Sequence, residues 1–226
     1  MMSKNAVYLG ETKTLTKTDL YISCQTISNR DSSKMVFKTL VETTIIGGVF
    51  RLSFSIKGYE EMKIRAFDFD DDFDAIKTWI TDERTHMMWC ANLIPYPLKK
   101  EKFRSFLSEI AGRFGDSPFV AVNDEGRVVG FYCYSLNHET HEGMLKFVMV
   151  DASVRGKGIG KEMIKLAVRR AFTDPEALAV QLNVFPENAR AKRCYEGVGF
   201  TERQNTPNAF KYKDESWGRC NMIIKR

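Results

Sequence analysis

The sequence predicts an α+β fold, because segments typical of strands alternate with segments of helical spacing. Pro118–Val122 and Val128–Tyr134 are apolar runs on either side of an Asn-Asp-Glu-Gly turn, which is the pattern of a β-hairpin. Farther along, an apolar run at Leu145–Val150 leads into a glycine-rich turn. Apolar residues at helical spacing then follow from Ile159 to Phe172. A strand, a glycine loop and a helix in this order indicate one domain containing both kinds of element.

Three further elements precede the hairpin. Met62–Phe67 is predicted to form the first strand of this domain. Asp71–Ile80 has apolar residues on one side and is predicted to be an amphipathic helix. Leu98–Phe114 repeats that pattern with lysine, arginine and glutamate between its apolar positions, and is predicted to be a second helix.

Four elements follow the glycine loop and its helix. A proline ends that helix, and Leu178–Val184 then reads as a buried strand. A short helix is predicted between Asn188, a good N-cap residue, and Gly197, a residue type common at helix ends. Two strands are predicted around Phe210–Tyr212 and Cys220–Ile224.

Residues 1–61 lie outside this pattern. Their apolar residues are concentrated in Val36–Ile46 and Val49–Ile56, which flank Gly47-Gly48 and can form a β-hairpin. A small N-terminal extension with such a hairpin is one interpretation. The other is an over-long predicted start, with Met62 as the natural first residue.

Composition excludes several classes of function. The chain has 226 residues, 43% of them hydrophobic, which is enough for one well-buried domain and an extension. It has neither a signal-peptide layout nor an apolar run of the roughly 18–20 residues that span a bilayer, so no membrane partner is expected. Five cysteines without a C-x-x-C pair suit a reducing cytoplasm, and three histidines show no metal-ligand spacing. A dispersed net charge of +5 does not indicate nucleic-acid binding.

The glycine loop indicates a phosphorylated ligand. Free N–H groups and the helix dipole make a helix N-terminus an anion site, and glycine lets a phosphate approach the backbone. The spacing of Gly156, Gly158 and Gly160 does not fit the dinucleotide fingerprint, and the P-loop pattern is absent. What remains is Arg155-x-x-Gly158-x-Gly160.

A second motif follows at the predicted short helix. Asn188, Ala191 and Tyr195 form one stripe by their spacing, and Gly199-Phe200 follows. The first motif resembles the acetyl-CoA pyrophosphate loop of the GNAT superfamily of N-acetyltransferases. The second is similar to the superfamily's signature N-x-x-A-x-x-x-Y-x-x-x-G-F at every named position.

The resemblance covers residues 62–226 and implies a mixed, mostly antiparallel sheet that is splayed between its fourth and fifth strands, with flanking helices. It implies an N-acetyltransferase that moves an acetyl group from acetyl-CoA directly to a primary amine of a small molecule or peptide, without a metal. The alternative is a non-catalytic acyl-CoA-binding or sensing module on the same fold. A cytoplasmic monomer or homodimer is expected in either case.

The resemblance also assigns roles to residues. Tyr195 is the expected general acid for the departing thiolate, because a phenol can donate a proton. The splayed edge of the fourth strand would bind the pantetheine amides and polarise the thioester carbonyl, and the glycine loop would hold the pyrophosphate. The expected cofactor-binding residues are Phe147, Val148, Met149, Val150, Arg155, Gly156, Lys157, Gly158, Ile159, Gly160, Asn188 and Tyr195.

The general base is left open by the sequence. One branch of the superfamily has a glutamate twelve residues before the tyrosine, and Asn183 stands there in this chain and cannot accept a proton. The alternatives are a water chain, Glu142 or His141, a carboxylate from the first two helices, or an amine that arrives neutral. Acceptor choice is expected to depend on residues 79–114, where Trp79 is interpreted as a core residue and the role of Trp89 is open.

Overall fold

The computed structural model describes the backbone of residues 38–46 and 49–57, and the backbone and side chains of residues 62–226. The chain divides into two units, Met1–Gly58 and Tyr59–Arg226.

In the first unit, β1 (Lys38–Ile46) and β2 (Val49–Lys57) pair in antiparallel register, with Ile46 opposite Val49. The predicted Gly47-Gly48 turn and residues 1–37 lie outside the described residues. The organisation expected for residues 1–61 therefore stays a prediction.

The described part of the second unit contains strands and helices in the mixed order that the sequence predicts. In chain order, these elements are β3 (Lys63–Ala66), α1 (Phe69–Thr78), α2 (Glu83–Cys90), α3 (Lys100–Phe114), β4 (Ser117–Val122), β5 (Val128–Asn137), β6 (Glu142–Val150), a 3-10 turn (Ala152–Val154), α4 (Ile159–Ala171), β7 (Ala179–Val184), α5 (Ala189–Glu196), β8 (Thr201–Tyr212) and β9 (Glu215–Lys225). Among these residues, no helix combines the length and the apolar character that a membrane span requires.

Seven of these strands form one sheet in the order β3-β4-β5-β6-β7-β9-β8. Neighbouring strands are antiparallel except β6 and β7, which are parallel and pair only as far as Leu145 opposite Leu182. Beyond that pair, β6 and β7 separate, and we call this opening the fork. These are the fourth and fifth strands of the unit, so the predicted mixed sheet with its splay is confirmed.

Apolar side chains cover both faces of the sheet. On one face, Met163, Ile164 and Ala167 of α4 pack with Leu182 and other strand residues in the first core cluster. On the other face, α1 and α3 pack over β4–β6 in the second, where Trp79 is 3% exposed. The interpretation of Trp79 as a core residue is confirmed.

Two helix N-termini differ from the prediction, because aspartate side chains cap the helices at positions that the prediction did not use. Helix α1 starts two residues before the predicted Asp71, because Asp68 accepts hydrogen bonds from the backbone N–H groups of Asp70 (2.9 Å) and Asp71 (3.2 Å). The sequence did not predict α2, which Asp82 caps by accepting from the N–H of Thr85 at 2.8 Å. The helix predicted from residue 98 is therefore the third one.

The C-terminal strands are longer than predicted. They form a hairpin of 12 and 11 residues, where the sequence predicted short segments around Phe210–Tyr212 and Cys220–Ile224. Most of β8 is exposed and polar, so its pairing partner β9 rather than an apolar pattern defines it as a strand.

Candidate functional site

A cavity of about 480 Å³ lies at the fork, where β6 and β7 no longer pair. The end of β6, the glycine loop, α4, α5 and α2 all contribute to its wall. The lining residues are Thr85, Met88, Trp89, Val148, Met149, Val150, Arg155, Gly156, Gly158, Gly160, Lys161, Ile164, Asn188, Arg190, Ala191, Arg193, Cys194 and Tyr195.

The glycine loop presents backbone donors to this cavity. Gly156 and Gly158 have φ of +87° and +85°, which side chains other than glycine adopt only at a cost. Gly158 is the N-cap of α4, and no side chain caps this helix end. The N–H groups of the first turn of α4 are therefore available to an anion in the cavity.

Four cations line the cavity, and no carboxylate is among its described lining residues. The cations are Arg155, Lys161, Arg190 and Arg193. Arg155 is fixed by its donation from Nε to the carbonyl of Val150 (3.1 Å) and from Nη2 to that of Trp79 (3.4 Å). Burial and the nearby Arg190 lower the pKa of Arg155, but a guanidinium stays charged at neutral pH. The site therefore favours a multiply charged anion.

The end of β6 contains a β-bulge, and the indole of Trp89 forms a hydrogen bond to it. Phe147 and Val148 interrupt the pairing of β6 with β5, and Phe147 has a φ of +52°. A bulky residue in this region stores about 1–3 kcal/mol of strain. Its carbonyl accepts a hydrogen bond from Nε1 of Trp89 at 2.7 Å. Trp89, whose role the sequence left open, thus lines the cavity and also fixes the strand edge beside the fork.

Helix α5 places Asn188 and Tyr195 on the cavity wall. Asn188 caps the helix by accepting from the N–H of Ala191 at 3.2 Å. Tyr195 is 7% exposed and packs edge-on against Phe200, with 6.2 Å between the ring centroids. Burial raises the pKa of the Tyr195 phenol, so the group stays protonated at neutral pH.

The cavity brings together most of the residues selected from the sequence. Those on its wall are Val148, Met149, Val150, Arg155, Gly156, Gly158, Gly160, Asn188 and Tyr195. Three others are placed elsewhere. Phe147 turns at the bulge and packs on Phe106 with ring centroids 5.1 Å apart, Lys157 is exposed on the loop, and Ile159 packs against the core.

Sequence reasoning missed the contribution of α2, and it did not select Arg190 and Arg193 as cofactor-binding residues. Thr85, Met88 and Trp89 of α2 reach the cavity wall. The available signal was Asp82, an N-cap residue before an eight-residue helix. The position of that helix against the fork follows from tertiary packing.

The candidate bases from the sequence lie away from the cavity wall. Glu142 accepts hydrogen bonds from Arg203 and Gln181, and neither it nor His141 is among the lining residues. Asn183 lies on β7 at the first position beyond the last pair with β6. In the parts of the chain that are described, no three His, Cys, Asp or Glu side chains are grouped so that they could hold a metal ion.

Comparisons with known proteins give the site its context. Residues 73–200 match the sequence model of the acetyltransferase (GNAT) family. The chain is 26% identical over 172 residues to an aminoglycoside N(6')-acetyltransferase type 1 of Klebsiella pneumoniae, which covers 70% of this chain and 83% of that protein. It is 32% identical over 82 residues, or 34% of this chain and 54% of the relative, to the spermine/spermidine N(1)-acetyltransferase of Bacillus subtilis.

Solved structures show the same fold. The crystal structure of a spermidine N-acetyltransferase from Vibrio cholerae, in complex with CoA and spermine, aligns with a TM-score of 0.63 at 19% identity. The alignment covers 73% of this chain and 95% of that one. The expected class, an acetyl-CoA-dependent N-acetyltransferase, is confirmed by the family match and the relatives. This chain belongs to the GNAT acetyltransferase family.

Proposed function

We propose that the cavity at the fork binds acetyl-CoA, and that the chain transfers the acetyl group directly to a primary amine of a small molecule or peptide. One observation carries this proposal. The cavity combines a glycine-bounded helix N-terminus, four cations and the buried phenol of Tyr195 at the place where β6 and β7 separate. The relatives named above are N-acetyltransferases, which supports an enzyme over a non-catalytic binding module.

The cations and the glycine loop fit a pyrophosphate. Arg155 is held in place by two backbone carbonyls, and Arg190 and Arg193 of α5 also line the cavity, with Nη2 of Arg190 3.7 Å from the position that a Cβ on Gly156 would take. Together with the N–H groups at the start of α4, they supply charge-assisted hydrogen bonds, which are stronger than neutral ones. We assign this part of the wall, including Lys161, to the phosphates of the cofactor.

The end of β6 fits an extended chain that carries amides. On the side facing β7, β6 has no strand partner beyond Leu145 among the described residues. Backbone groups along this edge can therefore pair with a ligand, apart from the carbonyls of Phe147 and Val150, which accept from Trp89 and Arg155. A ligand lying there would add a short strand to the sheet. Val148, Met149 and Val150 line the cavity along this edge, beside the bulge that Trp89 holds.

We assign to Tyr195 the role of proton donor to the leaving thiolate. Acetyl-CoA supplies the thioester, and the chain must protonate the sulfur that departs. A buried phenol with a raised pKa retains its proton and can donate it within hydrogen-bond reach. Cys194 also lines the cavity, but burial raises the pKa of its thiol, which disfavours the thiolate that an acetyl-enzyme intermediate would need.

No carboxylate on the described cavity wall can take the proton of the amine. We propose that the amine enters the site in its neutral form and that solvent accepts the proton it loses during acetyl transfer. This assignment uses one of the alternatives that the sequence left open and does not require Glu142, which is already engaged by Arg203 and Gln181.

The test is incubation of the purified chain with acetyl-CoA and a panel of acceptors. Polyamines, aminoglycosides, amino acids, amino sugars and peptides with varied N-termini make up the panel, and mass spectrometry identifies the products. We expect a singly acetylated amine in at least one acceptor class and no acetyl group on the protein. A stable acetyl adduct on Cys194 that is passed to the amine would contradict direct transfer, and binding of acetyl-CoA without any product would favour the non-catalytic module.

A further inference from the structure

A second, polar pocket of about 210 Å³ lies on the sheet next to the fork. We call it the polar pocket. Its lining residues come from β7, β8 and β9, and they are Asn183, Arg203, Gln204, Thr206, Arg219 and Asn221. None of these is a carboxylate, and two are arginines.

The polar pocket adjoins the place where β6 and β7 part. Asn183 is the first residue of β7 beyond the last pair with β6, and it lies opposite Asn221 of β9. Cys220 and Met222 are buried on the face covered by α4, so Asn221 and Arg219 point to the other face. The acetyl-CoA cavity reaches that same face through Met149 and Trp89, which belong to the second core cluster.

A chain of hydrogen bonds fixes the orientation of the amides. Arg203 donates from Nε to Oδ1 of Asn221 at 2.7 Å, so the Nδ2 of Asn221 must be its donor side. Asn221 Nδ2 then donates to Oδ1 of Asn183 at 3.0 Å. The oxygen of Asn183 is therefore occupied, and its NH₂ group is left to face the pocket.

The two arginines of the polar pocket differ in whether a carboxylate pairs with them. Arg203 is neutralised by Glu142, to which its Nη1 donates at 2.7 and 2.9 Å, and its Nη2 donates to Gln181 at 2.7 Å. Arg219 is exposed and forms no hydrogen bond or ion pair with the residues that the structure describes. The pocket thus offers two donors, the guanidinium of Arg219 and the amide NH₂ group of Asn183, and neither has a hydrogen-bond partner in the described part of the chain.

The two donors, Asn183 and Arg219, are close enough for one small molecule to contact both, because Asn183 lies opposite Asn221. Arg219 is two residues from Asn221 along β9, which is about 7 Å in a strand. Strand β9 runs antiparallel to β7, with Asn183 opposite Asn221 and Val184 opposite Cys220. Arg219 therefore lies beyond Asn221 toward the C-terminal end of β7, which is the open end of the fork. A molecule whose amine reaches the fork could therefore place a second group against Arg219.

We propose that the polar pocket binds an oxyanion, a carboxylate or a phosphate, carried by the amine acceptor. This inference rests on the proposed function and specifies its acceptor class. A pocket whose lining has donors and no carboxylate suits an anion, whereas an acceptor with several positive charges would meet the guanidinium of Arg219 without a compensating group in the pocket.

The test compares two matched pairs of acceptors with the full chain. Lysine and cadaverine differ by one carboxylate, and glucosamine 6-phosphate and glucosamine differ by one phosphate. We expect a higher kcat/KM for the oxyanion member of at least one pair, and the pair that shows it identifies which anion is recognised. In Arg219→Gln, kcat/KM for that member should fall by about tenfold or more, while its partner changes by less than about twofold.

Lys211→Gln provides the matched control, because Lys211 is exposed on the same hairpin and lines neither pocket. It should change neither member of the pair. An equal effect of Arg219→Gln on both members, an equal effect of Lys211→Gln, or preference for the amines without an oxyanion would overturn the inference.

Calorimetry on the CoA-loaded chain separates this inference from the proposed function. Arg219-dependent binding of lysine or glucosamine 6-phosphate, together with no acetylated product from any acceptor of the panel, would support the polar pocket and contradict the transferase proposal. Turnover of either compound that does not depend on Arg219 would support the transferase and contradict the pocket.

Discussion

Tyr195→Phe is expected to slow turnover about 100-fold, the scale on which a positioned general acid contributes. The change removes the proton donor and leaves the buried ring against Phe200 in place. Acetyl-CoA affinity, measured by calorimetry, should change by less than about twofold. Because burial raises the pKa of this phenol, ionisation of Tyr195 should cause no loss of wild-type activity below about pH 10.

The control for this prediction is Tyr134→Phe. Tyr134 is also partly buried with a raised pKa, and its hydroxyl has no hydrogen-bond partner among the described residues. It does not line the cavity, so turnover should remain close to that of the wild type. Turnover by Tyr195→Phe that matches the wild type across this pH range would remove Tyr195 from the mechanism.

Gly158→Ala is expected to weaken acetyl-CoA binding by at least about tenfold, or about 1.4 kcal/mol. Gly158 has a φ of +85°, and nothing lies within 4 Å of the position that a Cβ would take, so the added methyl group meets no protein atom. It would instead stand at the N-terminus of α4, between the backbone donors and the phosphates. Calorimetry with acetyl-CoA measures the effect.

Gly126→Ala separates this loss from backbone strain. Gly126 has a φ of +78° and equally open surroundings, but it lies in the turn between β4 and β5. Both substitutions should destabilise the fold by about 1–2 kcal/mol, the cost of a left-handed residue. We expect the two variants to show similar falls in Tm, and only Gly158→Ala to lose affinity for acetyl-CoA. Equal losses of acetyl-CoA affinity in both variants would exclude a specific role for the glycine loop.

The parts of the site that depend on local sequence could be predicted. Glycines at positive φ, an N-terminus without a side-chain cap and the Asn188 cap are features of a few consecutive residues. Their spacing therefore indicates an anion site at 155–160 and a short helix that bears Tyr195. The same reasoning predicted β4 to β7, because each of these strands contains an apolar run.

The polar pocket and the role of Trp89 could not be predicted, since both depend on how distant strands and helices meet. Asn183 and Asn221 come together only through the pairing of β7 with β9, and Arg219 joins them by its position on β9. Likewise, the indole of Trp89 meets the carbonyl of Phe147 across 58 residues of sequence. No periodicity within one segment contains that information.

The central claim, that acetyl-CoA occupies the cavity at the fork, is tested most directly by hydrogen exchange with mass spectrometry, with and without saturating acetyl-CoA. Protection is predicted in peptides that cover residues 147–160 and 188–195, where the end of β6, the glycine loop and α5 line the cavity. Peptides of β4 and the β4–β5 turn should exchange at unchanged rates. Absence of protection in both cavity segments, or protection confined to β8 and β9, would contradict the claim.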